Sequence, residues 1–437
     1  MPLTPEWTQL KYHPKQAALW RTKAKRVALL AGRGSGKTVI ARRYTVRFLP
    51  VRRFDLSGTP VARPMYFYAL PTREQAKRVA WEPLKALVPQ HWLAEPPSES
   101  ELTITTTFGS TLHLVGMDKP ARIEGNQWCG GVIDEGCDQK PGAFGRSVQP
   151  ALTHYDGWCW TIGVPKRFGV GCAEFLSRYD QYASGELGPS HEAYTWPSWD
   201  ILPPHKVAEA ARELDPRDFA EQYGAERQAI GGRIFWAFDS VKNVSDTVSY
   251  MPHEPIVVGS DFNVNPMAWN LSHYVGDRTL TFDEVWLRNT NTRATMDELH
   301  RRYGDHKGGY LFIGDSTARS RNTRASESDY AQILNDPRFE NAVVRYPKQN
   351  PSRQDRFASC NRGFLNAQGE RNSMIHPRCK HLIHDLSERA YKEGSREPDD
   401  SHPDRGHMSD AYGYPMHYLR PVIVTTAEEG EIMVEAA

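Results

Sequence analysis

Eight residues constrain this chain more than any others: Ala31-Gly32-Arg33-Gly34-Ser35-Gly36-Lys37-Thr38. They follow the apolar run Val27-Ala28-Leu29-Leu30 and open a stretch with helical character to Phe48, so the sequence predicts strand, glycine loop and helix in succession. Glycines let backbone N–H groups curl around a polyphosphate. Lys37 adds a point charge at the β- and γ-phosphates, and the Thr38 hydroxyl is a ligand for Mg²⁺. The strict pattern places glycine where this chain has Ala31, so Gly32 and Gly34 supply the flexibility. The ligand expected here is ATP.

At 437 residues the chain suits two domains rather than one core. A net charge of +1 excludes a globally basic nucleic-acid coat, while Arg42, Arg43, Arg47, Arg52 and Arg53 form a local basic stretch, read equally as a solvated helix face. No apolar run reaches membrane-spanning length. Nothing at the start reads as a signal peptide, and the six cysteines show no paired spacing. They are expected as reduced thiols of a cytoplasmic protein. His376, Cys379, His381 and His384 cluster without fitting a zinc spacing.

Before the loop, Gln16 follows Tyr12-His13-Pro14-Lys15 in a helical stretch, where its amide either reads an adenine edge or lies on the helix surface. Beyond Pro50, Met65 to Leu70 reads as a strand, and Thr72 with Gln75 as a capping box for a helix reaching Val88. Alternation of strand and helix predicts an α/β domain with a mainly parallel sheet, decorated by a hairpin of 102–105 and 111–114. Gly131-Val132-Ile133 then ends in Asp134-Glu135. Downstream of a phosphate loop, an acid at a strand end holds Mg²⁺ with Thr38, and its neighbour polarises the attacking water. Asp134 is assigned to the metal and Glu135 to the base. The next strand, Trp158 to Ile162, runs into Gly163-Val164-Pro165-Lys166, a turn placed to sense the γ-phosphate.

In this order of motifs the chain resembles the large terminase subunit of tailed bacteriophages, the ATPase and nuclease of a DNA-packaging motor. The resemblance implies an N-terminal P-loop domain of RecA/ASCE-like fold. It also implies a glutamine motif at Gln16, a variant Walker A with an internal arginine at Arg33 among Arg33, Gly34, Ser35, Gly36, Lys37 and Thr38, a Walker B at Asp134-Glu135 and a coupling motif over 161–165. Arg122 is the nearest match to the arginine that acts on a neighbouring subunit's nucleotide.

The second half has a different logic. A helical segment over 215–228 closes the first domain at residue 228, a linker covers 229–252, and a second domain covers 253–420, followed by a tail over 421–437 with an acidic, flexible character. Short strands each end in an acid: Asp261, Glu284 and Asp315. Asp410 stands in the first turn of a helix expected to reach Leu419. Carboxylates gathered from separate elements repel one another unless cations lie between them, and two Mg²⁺ ions would neutralise the cluster and activate water for phosphodiester cleavage. Each acid is read equally as an ordinary strand-end or cap residue. The resemblance implies an RNase H-like nuclease domain using Asp261, Asp315 and Asp410, with Glu284 as a further ligand and Mn²⁺ as an alternative metal. Arg319, Arg321, Arg324, Lys348, Arg353 and Arg356 lie in polar sequence expected to be loop and to grip phosphates.

The expected function is thus an ATP-driven motor that moves viral double-stranded DNA into procapsids and cuts it with a two-metal endonuclease. Partners implied by the resemblance are double-stranded DNA, the portal protein, the small terminase subunit and further copies of the chain in a ring, a pentamer, with the host cytoplasm as the location and transient docking on the procapsid. Two other classes stay open on the residues alone: a helicase-nuclease of repair or defence, and a nucleotide-binding structural protein whose acids are incidental.

Overall fold

In the computed structural model, residues 13–229, 231–316, 327–392, 395, 397–422 and 432–436 are described. The contacts divide the chain into two units. The first holds the described residues up to Val207 together with Ala220–Ala229, and the second holds Ala208–Phe219 and the described residues from Gly231 onward.

The first unit is built on a sheet of seven strands: β1 (Arg26–Ala31), β2 (Met65–Leu70), β3 (Thr103–Thr105), β4 (Thr111–Gly116), β5 (Gly130–Ile133), β6 (Trp158–Gly163) and β7 (His191–Trp196), in the order β3-β4-β2-β5-β6-β1-β7. All pairs are parallel except β3 with β4, the expected hairpin. β1, β5 and β6 are buried at every position, as strands covered on both faces must be, which explains their largely apolar sequence. Helix α1 (Pro14–Arg21) precedes β1, and α2 (Lys37–Arg47) follows the glycine loop. Tyr44 of α2 stacks on Trp160 of β6, ring centroids 3.8 Å apart, and meets Trp158 edge-on. This aromatic contact seats the helix on the sheet beneath the phosphate loop. Thr72 caps the next helix, accepting from the Gln75 N–H at 3.1 Å as the capping box predicts.

The second unit has its own seven-stranded sheet: β8 (Ile256–Asp261), β9 (Met267–Val275), β10 (Arg278–Leu287), β11 (Tyr310–Gly314), β12 (Ala342–Pro347), β13 (Ser373–Ile375) and β14 (Ile432–Ala436), in the order β13-β10-β9-β8-β11-β12-β14. β8, β9 and β10 form an antiparallel meander, whereas β11 and β12 add in parallel beside β8. Helices α3 (Arg353–Phe364), α4 (Lys380–Glu388) and α5 (His407–Leu419) belong to this unit. α5 lies so close to β8 that a Cβ at Gly259 would stand 2.1 Å from the Ala411 carbonyl oxygen. Only glycine permits that approach.

Two expectations are corrected. The stretch 229–252, read as a linker from its Gly231-Gly232 pair, sends Ile234, Phe235, Phe238 and Val248 into the second unit's core, each at most 5% exposed. Its apolar residues outweigh the glycines. The tail, read as flexible, contributes β14, which pairs antiparallel with β12.

Candidate functional site

The phosphate loop leaves β1 with Gly34 and Gly36 in the left-handed region, at φ 69° and 81°. Lys37 is the first residue of α2 and is buried, at 7% exposure. Burial pushes its ammonium pKa down, and the Glu135 and Asp134 carboxylates oppose that shift. Thr38 donates its hydroxyl to Asp134 Oδ2 at 3.0 Å, so the two groups assigned to Mg²⁺ from sequence meet across the sheet. Topology brings them together, because only β6 separates β1 from β5.

Asp134 is held by more than Thr38. The buried Tyr68 hydroxyl donates to the same Oδ2 at 2.7 Å, and the Glu135 N–H donates to Oδ1 at 2.9 Å. Burial raises the Asp134 pKa and the adjacent Glu135 raises it further, while Lys37 and the Tyr68 hydroxyl hold it down. Glu135 itself adopts a left-handed backbone, φ 54°, a conformation that costs a non-glycine residue roughly 1–3 kcal/mol and concentrates at functional positions. Burial pushes its pKa up, but Lys166 and then Lys37 outweigh that and keep it below the usual carboxylate value. Lys166, from the turn after β6, places Nζ 3.0 Å from Glu135 Oε2 and pairs also with Asp138. Read from its residues, that turn has a sensing role that does not single out its lysine.

The loop fits a polyphosphate. Its glycines turn the backbone into a cradle, Lys37 stands at its edge, and Ser35 Oγ is buried with no hydrogen-bond partner among the described residues. A hydroxyl and a carboxylate in contact suit Mg²⁺, a hard cation that takes oxygen ligands.

Gln16 braces the phosphate loop. Its Nε2 donates to the Ser35 carbonyl at 3.0 Å, and Trp196 Nε1 donates to the same oxygen at 3.0 Å. The contact uses one of the two Nε2 hydrogens. His13 caps α1 through the Gln16 N–H, which fixes that helix against the loop. Arg33 is exposed at the loop. Arg122 pairs with Asp118 at 3.0 Å in the turn after β4.

In the second unit Asp261 ends β8 and Asp315 directly follows β11, its parallel neighbour, so both acids emerge at one sheet edge. Asp410 comes from the first turn of α5, held against β8 by the Gly259 contact. All three line one pocket of about 530 Å³ with Asn263, Arg353, Arg356, Arg389, Asp400 and His407. Glu284 does not. It lies within β10 rather than at a strand end, beside Asp283, and successive strand residues face opposite sides of a sheet. Glu284 accordingly accepts from the N–H groups of His381 and Leu382, at 2.8 and 2.9 Å, at the start of α4. Asp283 instead takes the Arg302 guanidinium and the Tyr303 hydroxyl. Burial pushes the Glu284 pKa up to about 7 against those two backbone donors. It is a helix-capping residue, not a member of the pocket.

At Asp410 arginine meets the expected repulsion among the acids. Asp410 Oδ1 lies 3.0 Å from Arg389 Nη1 and 3.2 Å from Arg356 Nη1, and its Oδ2 lies 3.3 Å from Arg389 Nη2. Burial acts to raise the Asp410 pKa, but Arg356 and Arg389 outweigh it and leave the group below the usual carboxylate value. Asp261 Oδ2 accepts from Asn263 Nδ2 and pairs with His407 Nδ1, both at 2.9 Å. Among the described residues no three His, Cys, Asp or Glu side chains gather closely enough to hold a metal ion. In this arrangement the acids offer oxygen ligands of the kind a divalent cation takes, but guanidiniums occupy both oxygens of Asp410. Arg353 and Arg356 lie on α3 rather than in a loop, and Arg319, Arg321 and Arg324 lie outside the described residues. All six cysteines are buried and free, and no described helix is long and apolar enough to cross a membrane.

The fold thus defined joins, in one chain, an α/β unit carrying a phosphate loop on a mainly parallel sheet and a second α/β unit with three acids in one pocket. No protein-family model matches it. The sequence is 23% identical over 294 residues to a terminase large subunit of Thermus virus P23-45 and 22% identical over 294 residues to that of Thermus phage G20c. Each match spans 58% of this chain and 58% of the relative. The large terminase of the thermophilic bacteriophage D6E superposes with a TM-score of 0.58 at 16% identity, covering 93% of this chain and 99% of that one. The resemblance to the large terminase subunits of tailed phages, read first from the motifs, therefore extends to the fold of both units.

Proposed function

We propose that this chain is an ATP-driven motor that moves viral double-stranded DNA into a procapsid and cuts it with its second unit. The observation that carries the motor half is the contact of Thr38 with Asp134 beside buried Lys37, with Glu135 held one residue further on. Mg²⁺ bound with ATP would supply charge neutralisation at the β- and γ-phosphates. Around it, Lys37 and the loop N–H groups bind phosphate, Thr38 and Asp134 offer the oxygen ligands, and Glu135 orients and deprotonates the attacking water. Lys166 keeps Glu135 ionised. The D6E terminase has been solved with ADP and with ATP-γ-S, which supports nucleotide as the ligand of this unit's fold.

The nuclease half rests on Asp261, Asp315 and Asp410 in one pocket ringed by guanidinium groups that suit phosphodiester oxygens. Its proposed cofactor is Mg²⁺ or Mn²⁺, held by those acids. The portal protein, the small terminase subunit and other copies of the chain in a ring, a pentamer by resemblance, are the proposed partners. Arg122 is the proposed contribution to a neighbour's nucleotide, in the host cytoplasm and on the procapsid.

A pair of variants tests the division of labour. Lys37→Ala should abolish ATP hydrolysis while supercoiled plasmid is still cut with Mg²⁺ or Mn²⁺ in the absence of ATP. Asp315→Asn should do the reverse. Plasmid cutting by Asp315→Asn at the parental rate, with matched melting temperatures, would remove the acid pocket from the nuclease reading.

A further inference from the structure

Among the described residues, four carboxylates, Asp261, Asp315, Asp400 and Asp410, line the acid pocket together with four guanidiniums. At Asp410 the pairing occupies both oxygens. The two arginines that do this are held very differently. Arg389, 1% exposed, grips both oxygens and is anchored besides by the Gly406 carbonyl (3.2 Å), Ser409 Oγ (3.0 Å) and Asp400 Oδ1 (3.2 Å). Arg356 has a side chain 6% exposed and, among the described residues, makes its side-chain hydrogen bond to Asp410 Oδ1 alone, with its guanidinium over the Tyr414 ring at 4.4 Å. Its Nε is buried without a partner among the described residues.

We infer that Arg356 is the releasable half of a guanidinium clamp that stands in for a divalent cation at Asp410, so a metal enters the pocket only by displacing Arg356 from Oδ1. The inference rests on the reading of Asp261, Asp315 and Asp410 as the nuclease acids. A guanidinium and a divalent cation compete for the same lone pairs, and a positive charge beside the ligand repels the incoming ion. Arg389 fixes the carboxylate in place; Arg356 sets how readily it is surrendered. The clamp keeps the cutting site poor in metal while the pocket stays folded, which suits a nuclease that must not cut DNA continuously. Leaving Asp410 unpaired would instead bury a bare charge, which folded proteins do not tolerate cheaply.

The test is equilibrium Mn²⁺ binding to the full chain without nucleotide or DNA, read by the electron paramagnetic resonance of the free ion. Arg356→Met should bind Mn²⁺ roughly tenfold or more tightly than the parent. Arg356→Lys, which keeps the charge, should bind near the parental affinity. Asp261→Asn in the Arg356→Met background should lose the gain. As a second readout, the metal-free melting temperature of Arg356→Met should fall, and Mn²⁺ should raise it more than it raises the parent's. If Arg356→Met gives no cooperative melting, Arg356→Gln carries the same comparison with an uncharged amide in the same space. Equal or weaker Mn²⁺ binding by the uncharged variant, with Asp261→Asn still abolishing binding, overturns the clamp and leaves the acid site standing. Binding indifferent to Asp261→Asn overturns both.

Discussion

Tyr68→Phe removes one oxygen atom and leaves the ring that packs in the first unit's core. That oxygen is one of three donors on the Asp134 carboxylate, 2.7 Å from Oδ2, where the Thr38 hydroxyl also arrives at 3.0 Å. Tyr68 is fully buried and Asp134 is 2% exposed, so water does not replace the lost donor. A hydrogen bond to a charged group contributes about 1.5–3 kcal/mol. Loss of an outer partner of a metal-ligating carboxylate costs about 10–100-fold in metal affinity or activity. The two scales agree, and we expect MgATP to bind about 10–100-fold more weakly to the variant. Because Glu135 and Lys166 are untouched, the single-turnover rate at saturating MgATP should stay close to the parent's. Titration of Mg²⁺ against a fixed concentration of fluorescent ATP analogue, followed by rapid-quench hydrolysis at saturation, separates the two quantities. Unchanged Mg²⁺-dependent affinity, or a collapsed rate at saturation with affinity intact, would refute the assignment of Asp134 to the metal.

Three further outcomes follow from the geometry. Glu135→Gln should bind ATP but hydrolyse it about 10²–10⁴-fold more slowly, the loss typical of a positioned base, in a single-turnover assay. Lys166→Met should remove the ammonium that Glu135 and Asp138 share and slow hydrolysis more than it weakens ATP binding, with Lys166→Arg restoring part of the rate; equal rates for Lys166→Met and Lys166→Arg would count against the ion pair. Glu284→Ala should cost about 0.5–2 kcal/mol through loss of the cap on α4, seen as a lower melting temperature. Plasmid cutting per folded molecule should persist, and its disappearance would return Glu284 to the metal site.

The parts of both sites that were legible from sequence are those the backbone specifies locally. A glycine loop after a buried strand and an acid pair ending another are chemical statements in themselves, and Thr38 and Asp134 meet as the reading required. What stayed hidden depends on pairing between distant segments. Tyr68 reads as one more aromatic in an apolar strand, and only the β2–β5 register puts its hydroxyl beside Asp134. Trp196 reaches the loop because β7 pairs with β1. Glu284 misled because an acid within a strand looks like an acid at its end until the strand's length is known. Arg356 looked like loop charge, since a stretch rich in Arg, Asn and Asp gives little sign that its helix face is buried against a carboxylate. Lys166 carried a signal that could have been used, as a lysine closing the turn after the strand beside the acid pair.

Gly259 carries no side chain, yet it sets how far the backbone bearing Asp261 stands from the helix bearing Asp410. The gauge of the pocket is therefore a missing methyl group two positions upstream of its first acid. Any side chain there must push α5 outward, since the obstructing atom is a backbone carbonyl that cannot rotate away. Variation among related chains at this position would accordingly register in the cutting reaction as a change of spacing, although every chemical group of the pocket remained in place.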